Sequence, residues 1–357
     1  MYLKPLTLVS VLFFSLIFCP YELHARNVSI MAYNTENLFD AIDDPGKDDC
    51  TFLPLSEKQP GSDAYKCCKA QGNPYYVKEC LTLDWTPEVA WQKVKNIAYM
   101  VRSYRNFQGP DIVVFEEVEK IEILQAMVAN ELADLGYKTI VLIEGPDERG
   151  IDIGLISRFP LAGKPILHPV DLTSVSPRSK TRGILEVPLK IDDKKVVILG
   201  NHWPSQGQKP QARMLAAAQL IANTEKNQPN SLMIALGDFN TTDDENPSAI
   251  NEIVLKPFGD FNFMDTYSEC QKMGGPYCIN PPGSYYYKSK KEWNRLDRIF
   301  LSNSFLDAKV VTFYWTNFVV YAPPFAINED LSPLRFDPKT GLGFSDHFPV
   351  TMEFEIK

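Results

Sequence analysis

The sequence predicts an α/β protein in which large mixed β-sheets are covered on the outside by helices. Two observations indicate this class. Short apolar runs of strand length recur along the chain, and several are joined by short turns. Between them lie a few longer segments whose apolar residues follow the 3.6-residue helical period. The predicted strands outnumber the helices, which favours broad sheets.

The clearest helix is predicted over 86–104, where Thr86 is a candidate N-cap and Pro87 occupies the first helical position. Further helices are predicted at 121–137, ending at Gly136, and at 212–225. Strands are predicted at 28–33, 111–115, 137–143, 151–157, 183–191, 195–201, 232–238, 297–302 and 348–356.

Residues 1–25 have the pattern of a secretory signal peptide. A lysine precedes an apolar run from Leu6 to Phe18, which is too short to span a bilayer as a helix. Ala25 fits the −1 position of a cleavage site, whereas a membrane anchor would need a longer run. We therefore expect a secreted or periplasmic protein with one domain over residues 26–357.

Six of the seven cysteines lie beyond this segment, and an even number in an exported chain predicts disulfides. Cys270 and Cys278 are remote from the others and are expected to pair with each other. The remaining four lie in an insert at about 41–85, and their pairing stays open. A zinc site is disfavoured because the insert has no Cys-x-x-Cys and no histidine. These four are Cys50, Cys67, Cys68 and Cys80.

The formal charge is −9, so the chain has no global field that would attract a polyanion. A nucleic acid or another phosphate ester would have to meet local basic residues or a bound cation.

Polar side chains stand at the ends of six predicted strands. Each case alone would be ordinary turn chemistry, since Asp and Asn favour turns. Two of the four histidines in the chain belong to this pattern, and the set as a whole indicates a shared site. Its members are Asn34, Glu116, Glu117, Asn201, His202, Asp238, Asn240, Asp297, Asp346 and His347.

The chemistry of this set is limited by its atoms. Carboxylates and amides without a cluster of Cys or His favour Mg²⁺ or Ca²⁺ over zinc. A histidine beside an aspartate can be held protonated, a second aspartate can activate water, and Asn or His can donate to a phosphoryl oxygen. These groups suit metal-assisted attack of water on phosphorus.

Seven motifs, in this order, resemble the endonuclease/exonuclease/phosphatase superfamily with its deoxyribonuclease I-like fold. They are YNTENLFD, PDIVVFEEVE, RGIDIGLISR, NHWPSQ, GDFNTT, RLDRIFLS and SDHFPV, and the resemblance covers the chain from about residue 28 to 355. GDFN and SDH are weak signals alone, but the ordered set is specific. The resemblance implies a four-layer α/β sandwich with two central mixed β-sheets flanked by helices and a site at their shared edge.

The resemblance also implies a metal position. Glu117 matches the principal metal carboxylate, with Asn34 and Asp346 beside it, and the implied cofactor is Mg²⁺, or else Mn²⁺ or Ca²⁺. The chain departs from the family at Glu116, where a glutamine is usual.

Catalytic roles follow from the same resemblance. His202 and His347 match the histidines that contact the scissile phosphate, and Asp297 matches the partner of the second. Asp238 and Asn240 match the pair that activates water and stabilises the transition state.

Two arginines, Arg149 and Arg182, have two interpretations: they bind substrate phosphate, or they form surface ion pairs. The insert at 41–85 either shapes specificity or braces the surface.

The superfamily contains nucleases, inositol-phosphate phosphatases and sphingomyelinase-like phospholipases, so the fold does not define the substrate. NHWPSQ and RGID most resemble secreted bacterial nuclease-like members, which predicts an endonuclease for DNA or RNA. Lipid and inositol phosphate remain alternatives, although Thr241 and Thr242 replace the Tyr-Arg pair of the inositol phosphatases.

The apolar segment 317–327 is either a lipid-docking hairpin or a buried strand with a loop. A non-enzymatic binding module is disfavoured because no matched site position is lost. We expect a monomer without a stable protein partner.

Overall fold

The computed structural model describes residues 25–176, 180–226, 231–257, 259, 261–307 and 309–357. The expected signal peptide at 1–25 lies, apart from its last residue, outside these ranges. None of the helices within these ranges has the length and apolar character needed to cross a membrane.

Each of the nine predicted strands overlaps a strand of the structure. The strands are β1 (Arg26–Leu38), β2 (Ile112–Val118), β3 (Thr139–Leu142), β4 (Asp152–Ser157), β5 (Ile166–His168), β6 (Ile184–Ile191), β7 (Lys194–His202), β8 (Leu232–Asp238), β9 (Phe263–Asp265), β10 (Tyr285–Tyr287), β11 (Glu292–Asn294), β12 (Asp297–Ser302), β13 (Val311–Thr312), β14 (Val319–Val320) and β15 (Val350–Ile356). The helices are α1 (Asp63–Ala70), α2 (Pro74–Thr82), α3 (Pro87–Phe107), α4 (Ile121–Glu131), α5 (Pro210–Lys226) and α6 (Thr266–Lys272).

Two mixed sheets form the centre. The first has the order β13-β15-β1-β2-β4-β3, with β14 also paired to β15, and the second has the order β5-β6-β7-β8-β12-β9. β1 and β2 are parallel, and so are β7 and β8. Each sheet therefore brings the carboxyl ends of two neighbouring strands to the same edge.

Side chains alternate between the two faces of each strand, and this places the elements in four layers. In β1, Ile30 and Ala32 face a core that is shared with the second sheet, whereas Met31 and Tyr33 face α3 and α4. The outer face of the second sheet packs in the same way on α5, through residues such as Ala216. The predicted four-layer sandwich is confirmed.

Two predicted details of the helices can be compared directly. The Thr86 side chain accepts a hydrogen bond from the Val89 backbone N–H, so the predicted N-cap of α3 is correct. The predicted single helix at 121–137 is wrong in its second half. α4 ends at Glu131, and a 3₁₀ turn follows at Ala133–Leu135, because tightened last turns are common before a left-handed glycine such as Gly136 (φ 77°).

The insert contains α1 and α2, which the sequence did not predict. These helices have 8 and 9 residues. The disulfide Cys68–Cys80 links α1 to α2, and Cys50–Cys67 links α1 to the 3₁₀ turn Cys50–Phe52, so covalent bonds hold the helices where a broad apolar face is missing. The bonded thiols leave no thiolate of the insert for zinc. Cys270 and Cys278 also form a disulfide, as expected.

Candidate active site

The candidate site lies where the ends of both sheets meet. Register places Asn34 of β1 opposite Glu116 of β2, and Asp238 of β8 opposite both His202 of β7 and Asp297 of β12. β12 runs antiparallel to β8, so its first residue meets the last residue of β8. Parallel and antiparallel pairing together explain why polar strand ends far apart in sequence share one edge.

A buried acid–imidazole pair forms the centre of the site. The Nδ1 atom of His347 lies 2.7 Å from Oδ2 of Asp297. Burial favours a neutral imidazole, but the Asp297 carboxylate outweighs it, and the pKa of His347 is raised well above its ordinary value. The last strand, predicted at 348–356, begins at Val350, and His347 before it pairs with Tyr285 in an isolated bridge.

Asp238 is held by two amides. Its Oδ2 accepts from the side-chain amides of Asn34 and Asn240, each at 3.1 Å, and its Oδ1 accepts from the Asn240 backbone N–H at 2.8 Å. Burial, with the nearby charge of Asp297, nevertheless raises the pKa of Asp238 to about 7. This carboxyl group can therefore exchange a proton near neutral pH.

His202 faces the space between two carboxylates. Its Nε2 atom lies 3.7 Å from Oε1 of Glu117 and 3.8 Å from Oδ2 of Asp238, which is beyond hydrogen-bond distance. Burial, together with the charges of Arg182 and Arg149, lowers the pKa of His202 well below its ordinary value. The two site histidines therefore differ in charge, with His202 neutral.

The two adjacent glutamates of β2 have different environments. The strand register shifts between Glu116 and Val118, and Glu117 has a φ of 63°, so a bulge redirects the Glu117 side chain. Oε2 of Glu117 accepts from the Asn37 backbone N–H at 3.0 Å. Burial opposes ionisation, but Arg149 and Arg182 keep the pKa of Glu117 below its usual value.

Glu116 is fully buried, and neither of its carboxyl oxygens has a hydrogen-bond partner among the described residues. Burial and the neighbouring Asp297 and Asp238 raise the pKa of Glu116 well above its usual value. A neutral Glu116 is close in shape to glutamine, which accounts for a glutamate at the position where the family usually has glutamine.

Arg149 and Arg182 differ in their exposure to solvent. Arg149 lies 3.8 Å from Oε2 of Glu117, and its side chain is 48% exposed, so it is accessible at the site. Arg182 is only 11% exposed at its side chain and donates to Asp147 and to the backbone carbonyl of Trp203, each at 3.1 Å. The ion pair expected as an alternative for Arg182 is formed, but with a buried aspartate and not at the open surface.

Three site residues were missed by sequence reasoning. Glu36 accepts from the Asp346 backbone N–H at 2.8 Å and from Arg335, and Lys93 donates to its backbone carbonyl. Glu36 lies two residues after Asn34 in YNTENLFD, but an acid in that place has no distinguishing local signal. Asp346 itself is 30% exposed and lies 3.8 Å from Nε2 of His347.

The donor set fits a hard cation. Glu117 is ionised and partly exposed, and its Oε1 borders the space in front of His202 and Asp238. Asn34 adds an amide oxygen, which already accepts from the Glu36 backbone N–H at 2.9 Å. Glu117, Asp238 and Asn34 offer oxygen atoms, the ligand type that Mg²⁺ and Ca²⁺ prefer, and only the imidazole of His202 offers a nitrogen.

A second acidic group at the site includes neither Glu117 nor Asn34. Asp238, Asp297 and His347 bring one ligand atom each within 4.8 Å of one another. Because Asp297 is hydrogen-bonded to His347, this group is better suited to proton transfer. A further group joins Asp44 and Asp49 of the insert to Glu119, and the Lys120 ammonium lies 2.8 Å from Asp44.

A cleft of about 190 Å³ extends from the site along the hairpin β10–β11. Tyr285, whose ring centroid is 4.9 Å from that of His347, and Asp346 line its inner end. Tyr287 is 42% exposed and has Lys290 over its ring at 5.9 Å. The cleft thus combines aromatic faces with cations.

The two packed sheets, with acids, amides and histidines at their shared edge, define a hydrolase of phosphoric esters. A model of the Endonuclease/Exonuclease/phosphatase family matches residues 73–356, and the chain belongs to this family. A sequence comparison with curated proteins gave no match.

Solved structures have the same fold. A humanized D. rerio TDP2 with 14 mutations is 15% identical at a TM-score of 0.54, over 92% of this chain and 98% of that chain. A mannosyl-6-phosphatase of Bacteroides thetaiotaomicron VPI-5482 is 17% identical at a TM-score of 0.54, over 92% and 99%. D. rerio TDP2 complexed with single strand DNA product is 16% identical at a TM-score of 0.51, over 92% and 98%. At these identities the similarity concerns the fold.

Proposed function

We propose that this protein is an exported, divalent-metal-dependent phosphodiesterase that hydrolyses nucleic acid, DNA or RNA. The observation that carries the proposal is the convergence of Asp238, Asp297 and His347 within 4.8 Å beside the ionised Glu117. A proton acceptor, a proton donor and a cation ligand thus surround one space.

Asp238 is the proposed base. With a pKa of about 7, it accepts a proton from the attacking water without binding that proton too tightly to release it. The amides of Asn34 and Asn240 fix its orientation from two sides.

His347 and His202 are the proposed contacts to the phosphate. Charged His347 donates from Nε2 to a phosphoryl oxygen while Asp297 holds Nδ1. Neutral His202 presents Nε2 to the same space, and the exposed Arg149 provides a bidentate donor at its rim.

Glu117, with Asn34 and Asp346 beside it, is the proposed holder of Mg²⁺, Mn²⁺ or Ca²⁺. When bound there, such an ion supplies Lewis-acid stabilisation of the charge on the phosphoryl oxygens. The chain's own contribution is to keep Glu117 ionised through Arg149 and Arg182.

Nucleic acid is the favoured substrate because of the cleft. A row of tyrosine rings runs along the cleft from His347 to a group of exposed lysines. Such rings can stack on bases, and the lysines can bind the phosphates of a nucleic acid strand. The D. rerio TDP2 structure with single strand DNA product shows the same fold with such a ligand. The chain's net charge of −9 makes this local basic surface necessary.

Segment 317–327 gives the phospholipase alternative little support. Phe318, Val320 and Ala326 of segment 317–327 are buried, and β14 pairs with β15, so the segment is a buried strand with a loop. Export is supported by the apolar N-terminal pattern and by three disulfides.

A substrate panel tests the proposal. The mature chain is assayed on plasmid, RNA, sphingomyelin, inositol phosphates and bis-p-nitrophenyl phosphate, with Mg²⁺, Mn²⁺ or Ca²⁺ and with excess EDTA. We expect cleavage of DNA or RNA that requires the divalent ion. Full activity in EDTA contradicts the metal requirement, and turnover of sphingomyelin alone supports the phospholipase.

A matched pair of variants locates the ion. Glu117→Gln removes the proposed ligand and is expected to abolish metal-dependent activity and to weaken Mn²⁺ binding in calorimetry. Glu57→Gln removes one negative charge from an exposed position of the insert and is expected to change neither.

A further inference from the structure

We infer that Glu36 is a positioning residue, whose buried carboxylate fixes the backbone of Asp346 and so sets the orientation of Asp346 and His347 in the site. The inference rests on the proposed function of that site and adds a residue that neither contacts the reacting atoms nor occurs among the expected site residues.

The contacts of Glu36 carry the argument. Its Oε2 accepts from the Asp346 backbone N–H at 2.8 Å, although 310 positions separate the two residues in sequence. Its Oε1 accepts from Nε of Arg335. Each oxygen is thus used by a different part of the C-terminal region, and only 7% of Glu36 is exposed.

The backbone of Glu36 is also fixed. Lys93, 3% exposed and lying over the rings of Trp85 and Phe336, donates from Nζ to the Glu36 carbonyl. Glu36 has a φ of 54°, in the left-handed region that a residue with a side chain adopts only when its surroundings hold it there.

A second connection joins the same two segments. The Ser345 hydroxyl donates to the Asn34 carbonyl at 2.7 Å and accepts from the His347 backbone N–H at 3.1 Å. Without the Glu36 carboxylate, Asp346 would be held by its neighbours in sequence alone. Its own side chain is 30% exposed and has no hydrogen-bond partner that would orient it within the described ranges.

The substitution Glu36→Gln separates positioning from packing. The glutamine keeps the shape, but its NH₂ group must face either the Asp346 N–H or the Arg335 guanidinium, both of which are donors. The fold can tolerate this change while the orientation of residues 345–347 is lost.

We would measure kcat and KM, Mn²⁺ affinity by calorimetry, and amide hydrogen exchange of the segment 343–347. Glu36→Gln is expected to lower kcat by about 10–100-fold, with a much smaller change in KM, because supports of ligand residues act on this scale. Mn²⁺ affinity is expected to fall, and exchange at 343–347 to accelerate, while β12 stays protected.

Arg335→Met provides the coupling test. It is expected to reproduce the loss of kcat. The double variant of Glu36 and Arg335 is expected to be no worse than either single variant, since both substitutions disturb the same set of contacts. Arg102→Met, which breaks the remote pair of Arg102 and Asp134, is the control and is expected to leave kcat unchanged.

Unchanged kcat, Mn²⁺ affinity and exchange in Glu36→Gln overturn the inference, as does a loss of activity explained entirely by a smaller folded fraction. If the wild-type chain cleaves no phosphoric ester, the proposed function fails instead. Hydrogen exchange at 343–347 and Mn²⁺ affinity then still decide whether Glu36 holds Asp346.

Discussion

The Nδ1 atom of His347 lies 2.7 Å from Oδ2 of Asp297, a residue 50 positions earlier in the chain. Asp297 is fully buried, so water does not offset its charge, and the imidazolium of His347 is its counter-ion. This explains why a buried histidine has a raised pKa, and it suits His347 to the proposed role of proton donor.

Replacing His347 by Ala is expected to reduce turnover per folded molecule by about 10²–10³-fold, the usual effect of removing one donor to a developing oxyanion. The melting temperature, measured on the same protein, shows whether the fold is kept. If His347 serves only structure, the variant melts earlier but keeps nearly all its activity per folded molecule.

Asp297→Asn tests the origin of the raised pKa. Loss of the carboxylate is expected to lower the pKa of His347 towards its ordinary value, because Asp297 is the main cause of the increase. Activity that needs the imidazolium then disappears at lower pH, so the alkaline limb of the kcat/KM profile moves to lower pH. If the alkaline limb does not move, a group other than His347 is responsible for it.

The same pair links stability to pH. The pKa of His347 is higher in the folded protein than the value of about 6.5 in an unfolded chain. Its stabilising contribution is therefore fully present below about pH 6.5 and is lost as pH rises through the folded pKa. Asp297→Asn is expected to flatten this part of the stability profile in urea unfolding.

Glu116→Gln is expected to stabilise the protein at pH 8, by about 1–3 kcal/mol, because glutamine is neutral without the proton that Glu116 must take up on folding, and each pH unit of such a difference is worth about 1.4 kcal/mol. Folding raises the pKa of Glu116, so wild-type stability falls as pH rises above the unfolded value of about 4.3. The gain should shrink towards acid pH. A variant less stable than wild type at pH 8 would mean that Glu116 has an ionic partner in solution.

Replacing Cys270 and Cys278 together by Ala is expected to lower the free energy of unfolding by about 2–3 kcal/mol, because the bond closes a short loop in the unfolded chain. Denaturation without reductant measures the change. Peptide mapping tests the Cys270–Cys278 pairing itself. Alkylation of either thiol without prior reduction would refute that pairing in the native protein.

Local pattern was enough to predict the frame of the fold. The strands follow from apolar runs of strand length, and Thr86 caps α3 as expected, because capping depends on residues within one turn. The polar ends of β2, β7, β8 and β12 are visible in the sequence for the same reason. Their convergence follows once strand direction is known, since strand order places them at one edge.

Only the tertiary structure distinguished Glu116 from Glu117. Both follow the same apolar run, but the bulge at Glu117 presents one side chain to the site and leaves the other buried against Asp238 and Asp297. Local sequence contains no signal for this, because the difference depends on strands that contribute charges from more than a hundred residues away.

The roles of Glu36 and Arg182 were likewise decided by packing. The partner of Glu36 is 310 residues away, and that of Arg182 is a buried aspartate, Asp147, in another loop. The sequence by itself predicted which residues have the chemistry for phosphoric ester hydrolysis. The tertiary structure decided their charge states and orientations, because burial and ion pairing are set by neighbours in space.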